Sequence, residues 1–107
     1  MSLPTNDVFV ALADPTRRAL FERLVREGEL TVGALTAKSR VSQPAVSKHL
    51  AQLKLAGLVK DRREGRQTHY RAEPKGLAPL IDWMSLYAAF WRDRIDRLED
   101  LPKRMDQ

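Results

Sequence analysis

Between residues 31 and 72 the apolar positions recur first at spacings of three and four and then give way to two short strand-like runs around a glycine, so two helices must lead directly into a hairpin. Thr31 is placed to cap the first of these helices, with Val32 and Leu35 turned inward and Lys38 outward. Arg40 and Val41 form the break. Ser42 caps the second helix, which runs to about residue 56, and Pro44 is tolerated in its first turn because the amides there have no intrahelical partner. Val46, Leu50 and Leu53 supply its inward stripe, and Gly57 ends it. Residues 58–63 and 66–72 read as strands joined at Glu64-Gly65, a tight turn in which glycine supplies the positive φ, with Val59 and Tyr70 as inward anchors.

The flanks are helical. Asp14-Pro15-Thr16 opens a helix whose apolar face is Leu20, Phe21, Leu24 and Val25 and whose stop is Gly28. Val8, Phe9 and Leu12 mark a shorter helix before it, starting around Asn6. From residue 77 to about 101 a single long helix is expected, with Met84, Tyr87, Trp91, Ile95, Leu98 and Leu101 on one stripe and Trp83, Leu86 and Phe90 on a second. Two stripes exceed what one small core can cover. The expectation is one domain over residues 1–107, with its core in about 6–72 and the last helix left to dimerise. A chain of 107 residues buries only roughly 60 to 70% of its unfolded surface, so a second subunit would help it.

Several classes of function are excluded by what the sequence lacks. With no cysteine there are no disulfides, no thiolate nucleophiles and no sulfur-ligated metal. Two isolated histidines, with no nucleophile elbow, phosphate loop or zinc-ligand spacing, give no catalytic constellation. No enzyme, metal or cofactor is expected. His49 reads as a packed core histidine and His69 as an ordinary strand residue. The N-terminus carries no secretory pattern, and the most apolar run, 83–91, falls far short of the ~20 residues that span a bilayer, so a soluble cytoplasmic protein without a membrane partner is expected.

Nineteen Lys and Arg against fourteen Asp and Glu give a formal charge of +5, which points toward polyanions, and the placement of the charges sharpens this. Helix, turn, helix and basic hairpin, in that order, describe a mainly α fold with a small β-hairpin, the winged helix-turn-helix, whose second helix enters the major groove of double-stranded DNA. Opposite its inward stripe that helix presents Gln43, Pro44, Ser47, Lys48 and Ala51. Gln pairs with adenine edges, Lys with guanine acceptors, Ser with either, and Pro or Ala carbon meets a thymine methyl. Thr31, Thr36 and Ser42 stand where hydroxyls and helix-terminal amides hold phosphates. Arg62, Arg63 and Arg66, with Lys60 and Arg71 nearby, form a basic hairpin suited to gripping the DNA backbone. A rival reading uses the 83–91 surface as a protein-interaction module, with the hairpin merely protecting a strand edge. RNA binding would want an aromatic stacking platform, and most of the aromatics lie instead on the last helix.

Asp14-Pro15-Thr16-Arg17-Arg18, the segment Val41-Ser42-Gln43-Pro44-Ala45-Val46-Ser47-Lys48-His49-Leu50, and Ala56-Gly57-Leu58-Val59 followed by Arg62-Arg63-Glu64-Gly65-Arg66 and Tyr70 closely resemble ArsR/SmtB-type repressors over roughly residues 6 to 100. The resemblance implies a homodimer that binds imperfect palindromic operators and blocks transcription. It also implies a dimer interface made by the first and last helices, hence Val8, Phe9, Leu12, Trp83, Tyr87, Phe90, Trp91, Ile95 and Leu98. One departure stands out. Metal-sensing members carry Cys, or Asp and His on the last helix, whereas here Asp82, Asp93, Asp96, Glu99 and Asp100 offer oxygen only and read as solvated charges. The chain therefore resembles the metal-independent branch, and no small-molecule effector is legible in it.

Overall fold

The computed structural model describes the backbone of residues 4–105 and the side chains of residues 7–97. Helices α1 (Pro4–Ala13) and α2 (Pro15–Glu27) precede a two-residue strand β1 (Leu30–Thr31), helices α3 (Val32–Ala37) and α4 (Gln43–Leu55), and strands β2 (Val59–Glu64) and β3 (Gln67–Ala72). A 3-10 turn (Pro74–Leu77) leads into α5 (Ala78–Ser85) and α6 (Ala88–Met105).

Each helix of the central pair starts where a short polar side chain can take a free amide. Thr31 Oγ1 accepts from the Ala34 amide at 3.0 Å and Ser42 Oγ from that of Ala45 at 3.4 Å, while Asp14 Oδ1 caps α2 through the Arg17 amide at 3.0 Å. The same α2 segment closes α1. Arg17 donates to the carbonyls of Ala11 (2.8 Å) and Val10 (3.1 Å), and Arg18 to that of Leu12 (2.9 Å), so these cations occupy the negative end of α1. Gly28 and Gly57 leave α2 and α4 at φ 84° and 80°.

The core gathers one stripe from each of these elements: Val8 and Ala11, then Leu20, Phe21 and Leu24, then Leu35, then Val46, Leu50 and Leu53, closed by Leu58 and Val59. Truncating such a leucine costs about 2–5 kcal/mol. Val25, expected on the inward face of α2, is instead 52% exposed, since it lies one step past the buried row.

Four further expectations are corrected. The sheet has three strands in the order β1-β3-β2, because Leu30 and Thr31 pair with Tyr70 and His69. The hairpin turn is Gly65-Arg66, one residue later than expected, since Glu64 pairs with Gln67. Gly65 takes φ 62° at the first central position, the place a type II′ turn reserves for glycine. The first helix begins at Pro4.

The long helix predicted over 77–101 is interrupted. Ser85 Oγ donates to the Asp82 carbonyl at 2.6 Å, and the Leu86 and Tyr87 amides reach back only three residues, to Trp83 and Met84. This tightened turn separates α5 from α6. Leu98 and Leu101 lie outside the residues whose side chains are described. Because α6 packs principally on α5, the chain reaches 61 Å along its longest axis, and its radius of gyration of 18.2 Å exceeds the ~13 Å of a compact globule of this length.

Candidate nucleic-acid interface

With Val46, Leu50 and Leu53 fully buried, the helical period forces Gln43, Pro44, Ser47, Lys48 and Ala51 to the outside, where all five are exposed. A groove of about 330 Å³ runs between the start of α4 and the hairpin tip, and Thr31, Val32, Gly33, Gln43, Ser47, Arg66, Gln67 and Thr68 line it. The structure therefore brings Thr31, Gln43, Ser47 and Arg66 onto one polar surface. Lys48 stands outside the groove on the same exposed side of α4. Gln67 and Thr68 were missed by sequence reasoning, and the one signal for them was their position beside the turn. The Thr36 hydroxyl is engaged within α3, donating to the Val32 carbonyl at 2.8 Å.

Strand alternation sorts the hairpin cations. Cross-strand partners share a face, so Val59, Asp61 and Arg63 lie with Ala72, Tyr70 and Thr68, while Lys60, Arg62 and Glu64 lie with Arg71, His69 and Gln67. The first face is the one turned to α4, as the Lys54–Asp61 ion pair at 3.0 Å and the buried Val59 require. Arg62 is thus on the far face, where it makes two parallel bonds to Glu29 (2.8 and 2.9 Å) and one to Glu64 (2.9 Å). Those two carboxylates, Glu29 first, raise the Arg62 pKa still further, and the Arg62 hydrogen bond holds Glu29 below the usual carboxylate range. Arg62, expected as part of the grip on the DNA backbone, is a strut between the hairpin and the start of β1. Arg63 and Arg66 form no ion pair among the described residues, and the Arg63 Nε contact with the Gly65 carbonyl is a long 3.5 Å.

The strut is expected to respond to pH. A carboxylate whose folded pKa is depressed contributes its stabilisation above its unfolded pKa and loses it as the pH falls through the lowered value. The Arg62 side-chain NεH signal is accordingly expected to hold steady at neutral pH and to shift below the ordinary carboxylate range, following Glu29. If Glu29→Gln leaves that titration unchanged by NMR, the strut is not the cause.

Away from this surface, α1, α5 and α6 present apolar side chains to solvent. Phe9 meets Trp83 edge-on at 5.3 Å, Trp83 meets Tyr87 at 5.2 Å, Phe90 meets Trp91 at 5.5 Å, and Arg94 covers Phe90 at 5.0 Å. Leu86, Trp91 and Ile95 remain 76, 59 and 51% exposed, and Leu12 is partly buried against the core. Val8, expected in the same interface, is 1% exposed and belongs to the core, because it shares the inward row of α1 with Ala11. An apolar band of this kind is the mark of a surface that another molecule covers.

Two capped helices, the second with its polar face beside a basic three-stranded wing, make a winged helix-turn-helix, a DNA-binding class. A Helix-turn-helix domain family matches residues 12–62. The chain is 48% identical over 68 residues to the arsenic resistance transcriptional regulator ArsR1 of Pseudomonas putida, covering 64% of this chain and 53% of that protein. It is 37% identical over 79 residues to the transcriptional repressor SdpR of Bacillus subtilis, covering 74% and 87%. It superposes with a TM-score of 0.64 and 30% identity on the homodimeric winged helix-turn-helix DNA-binding domain Mb0332 of Mycobacterium bovis, a possible ArsR-family regulator, over 80% of this chain and 79% of that one. The chain belongs to the ArsR family of transcriptional regulators. It spans 53% and 64% of the length of the first two curated relatives it matches.

Proposed function

We propose that the protein is a homodimeric repressor that binds an imperfect palindromic operator through α4 and its wing. The groove shared by Gln43, Ser47, Thr31 and Arg66 carries this reading, because it joins side chains suited to base edges with a cation that has no ion pair among the described residues. Gln43, Pro44, Ser47 and Lys48 are assigned to base edges, Thr31 and Ser42 to phosphates near helix starts, and Arg63 and Arg66 to the backbone. Phe9, Leu12, Trp83, Tyr87, Phe90, Trp91 and Ile95 are assigned to the second subunit. The family relationship and the homodimeric state of Mb0332 support these assignments. The chemistry is binding, without catalysis or a resident metal, and it operates with the DNA in the cytoplasm; among the described residues no helix is long and apolar enough to cross a membrane.

The roles separate in a binding assay. Gln43→Ala and Lys48→Ala are each expected to cost about 1–3 kcal/mol on the operator and to relax base preference, whereas Arg63→Ala and Arg66→Ala weaken all sequences alike and lower the salt slope by about one each. Affinity for the protein's own promoter should fall steeply as salt rises. Equal displacement by random-sequence DNA would defeat the repressor reading.

A further inference from the structure

A second cavity lies at the corner between α2 and α3, and it shares no residue with the groove that faces DNA. It measures about 290 Å³, with Ala19, Leu35 and Val41 among its apolar walls and Arg23, Lys38 and Arg40 as its charged residues. No carboxylate lines it. Arg23 is compensated, paired with Glu27 at 2.9 Å and donating to the Leu35 and Ala34 carbonyls. Lys38 and Arg40 form no ion pair among the described residues, and both are exposed. The first turn of the 13-residue helix α2 also opens here through Pro15 and Thr16, adding its positive end. Asp14, beside that turn, is committed to the Arg17 amide.

We propose that this corner binds a small carboxylate with an apolar body, the carboxylate held by Lys38 and Arg40 and the chain laid over Ala19 and Val41. An apolar lining edged by cations, with no carboxylate among its residues, selects that chemistry over a neutral or cationic ligand. Val41 immediately precedes Ser42, the cap of α4, so an occupant bears on the start of the helix assigned to the operator. On that reading of α4, ligand and DNA change each other's affinity by the same factor.

The test uses the full chain without DNA, titrated with octanoate, octanamide and octylamine by calorimetry and amide NMR. Octanoate is expected to bind saturably and to move amides of residues 16–23 and 38–42. Octanamide, or octanoate with the Lys38→Gln/Arg40→Gln variant, should bind roughly tenfold more weakly or worse. Ala19→Phe, which fills the cavity from an exposed position, should abolish binding with the melting temperature preserved. Equal binding of octylamine, absence of saturable shifts, or shifts confined to residues 83–95 would overturn the proposal. So would a loss of DNA affinity in the Lys38/Arg40 variant with no carboxylate binding in the wild type, since those cations would then serve phosphates. In a second step, saturating octanoate must alter operator affinity of the wild type and leave Ala19→Phe unmoved; unchanged wild-type affinity refutes the linkage. Because the first step contains no DNA, its failure leaves the operator reading standing.

Discussion

Replacing Trp91 by glutamate is expected to convert the dimer to monomer and to lower affinity for a two-half-site operator by about 100- to 10,000-fold, with no change on a single half-site. The side chain is 59% exposed in the isolated chain and edge-on to Phe90, so a monomer loses little by the change. A dimer, by contrast, would have to bury two carboxylates in an apolar seam, which costs several kcal/mol per ion. The two half-sites would then be engaged independently, without the effective concentration that a fixed spacing of one helical turn provides. Light scattering and gel shifts with one-site and two-site DNA measure both halves of the prediction. A Trp91→Glu protein that remains dimeric moves the interface off α6.

What the sequence made readable were the features closed within a few residues of themselves. Asp14, Thr31 and Ser42 each bond an amide three positions on, so the residue type and its place before an apolar stripe suffice to identify the cap. The inward row of α4 follows from the helical period alone, and with it the exposed row that holds Gln43, Ser47 and Lys48. Features completed by distant partners were not readable. β1 is two residues long and has no period to detect; it exists because β3 comes to lie beside it. Arg62 looks like any other hairpin cation until Glu29, 33 residues away, is placed against it. Arg17 and Arg18 add to a basic composition that suggests a polyanion, yet their guanidinium groups are turned onto the end of α1. The break at Ser85 depends on a hydroxyl competing for a carbonyl, which an apolar stripe pattern conceals.

The Gly76→Ala substitution is expected to disturb the protein more than its single added carbon suggests. A Cβ built on Gly76 would collide with the Gly57 carbonyl oxygen and stand 2.8 Å from its carbon. These are backbone atoms at the exit of α4, held by the Gly57 and Leu58 amides on Lys54 and Leu53 and by Glu73 on the Leu58 carbonyl, so no side chain can swing aside. The 3-10 turn must lift away, at a cost of about 1–3 kcal/mol in unfolding free energy. Gly65→Ala supplies the contrast. Nothing lies within 4 Å of a Cβ there, and only the strain of φ 62° remains, which leaves the hairpin tip alone affected. The Gly57–Gly76 contact is also where the end of α4, the helix we assign to the operator, abuts the lead into α5 and α6, so on that assignment it bears on the angle between the operator-binding and dimerising parts. Gly76→Ala dimers should therefore bind single half-sites normally while preferring an altered half-site spacing. Chemical denaturation and gel shifts on operators lengthened or shortened by one base pair would check this; a variant with wild-type stability and wild-type spacing preference would show that the contact is slack.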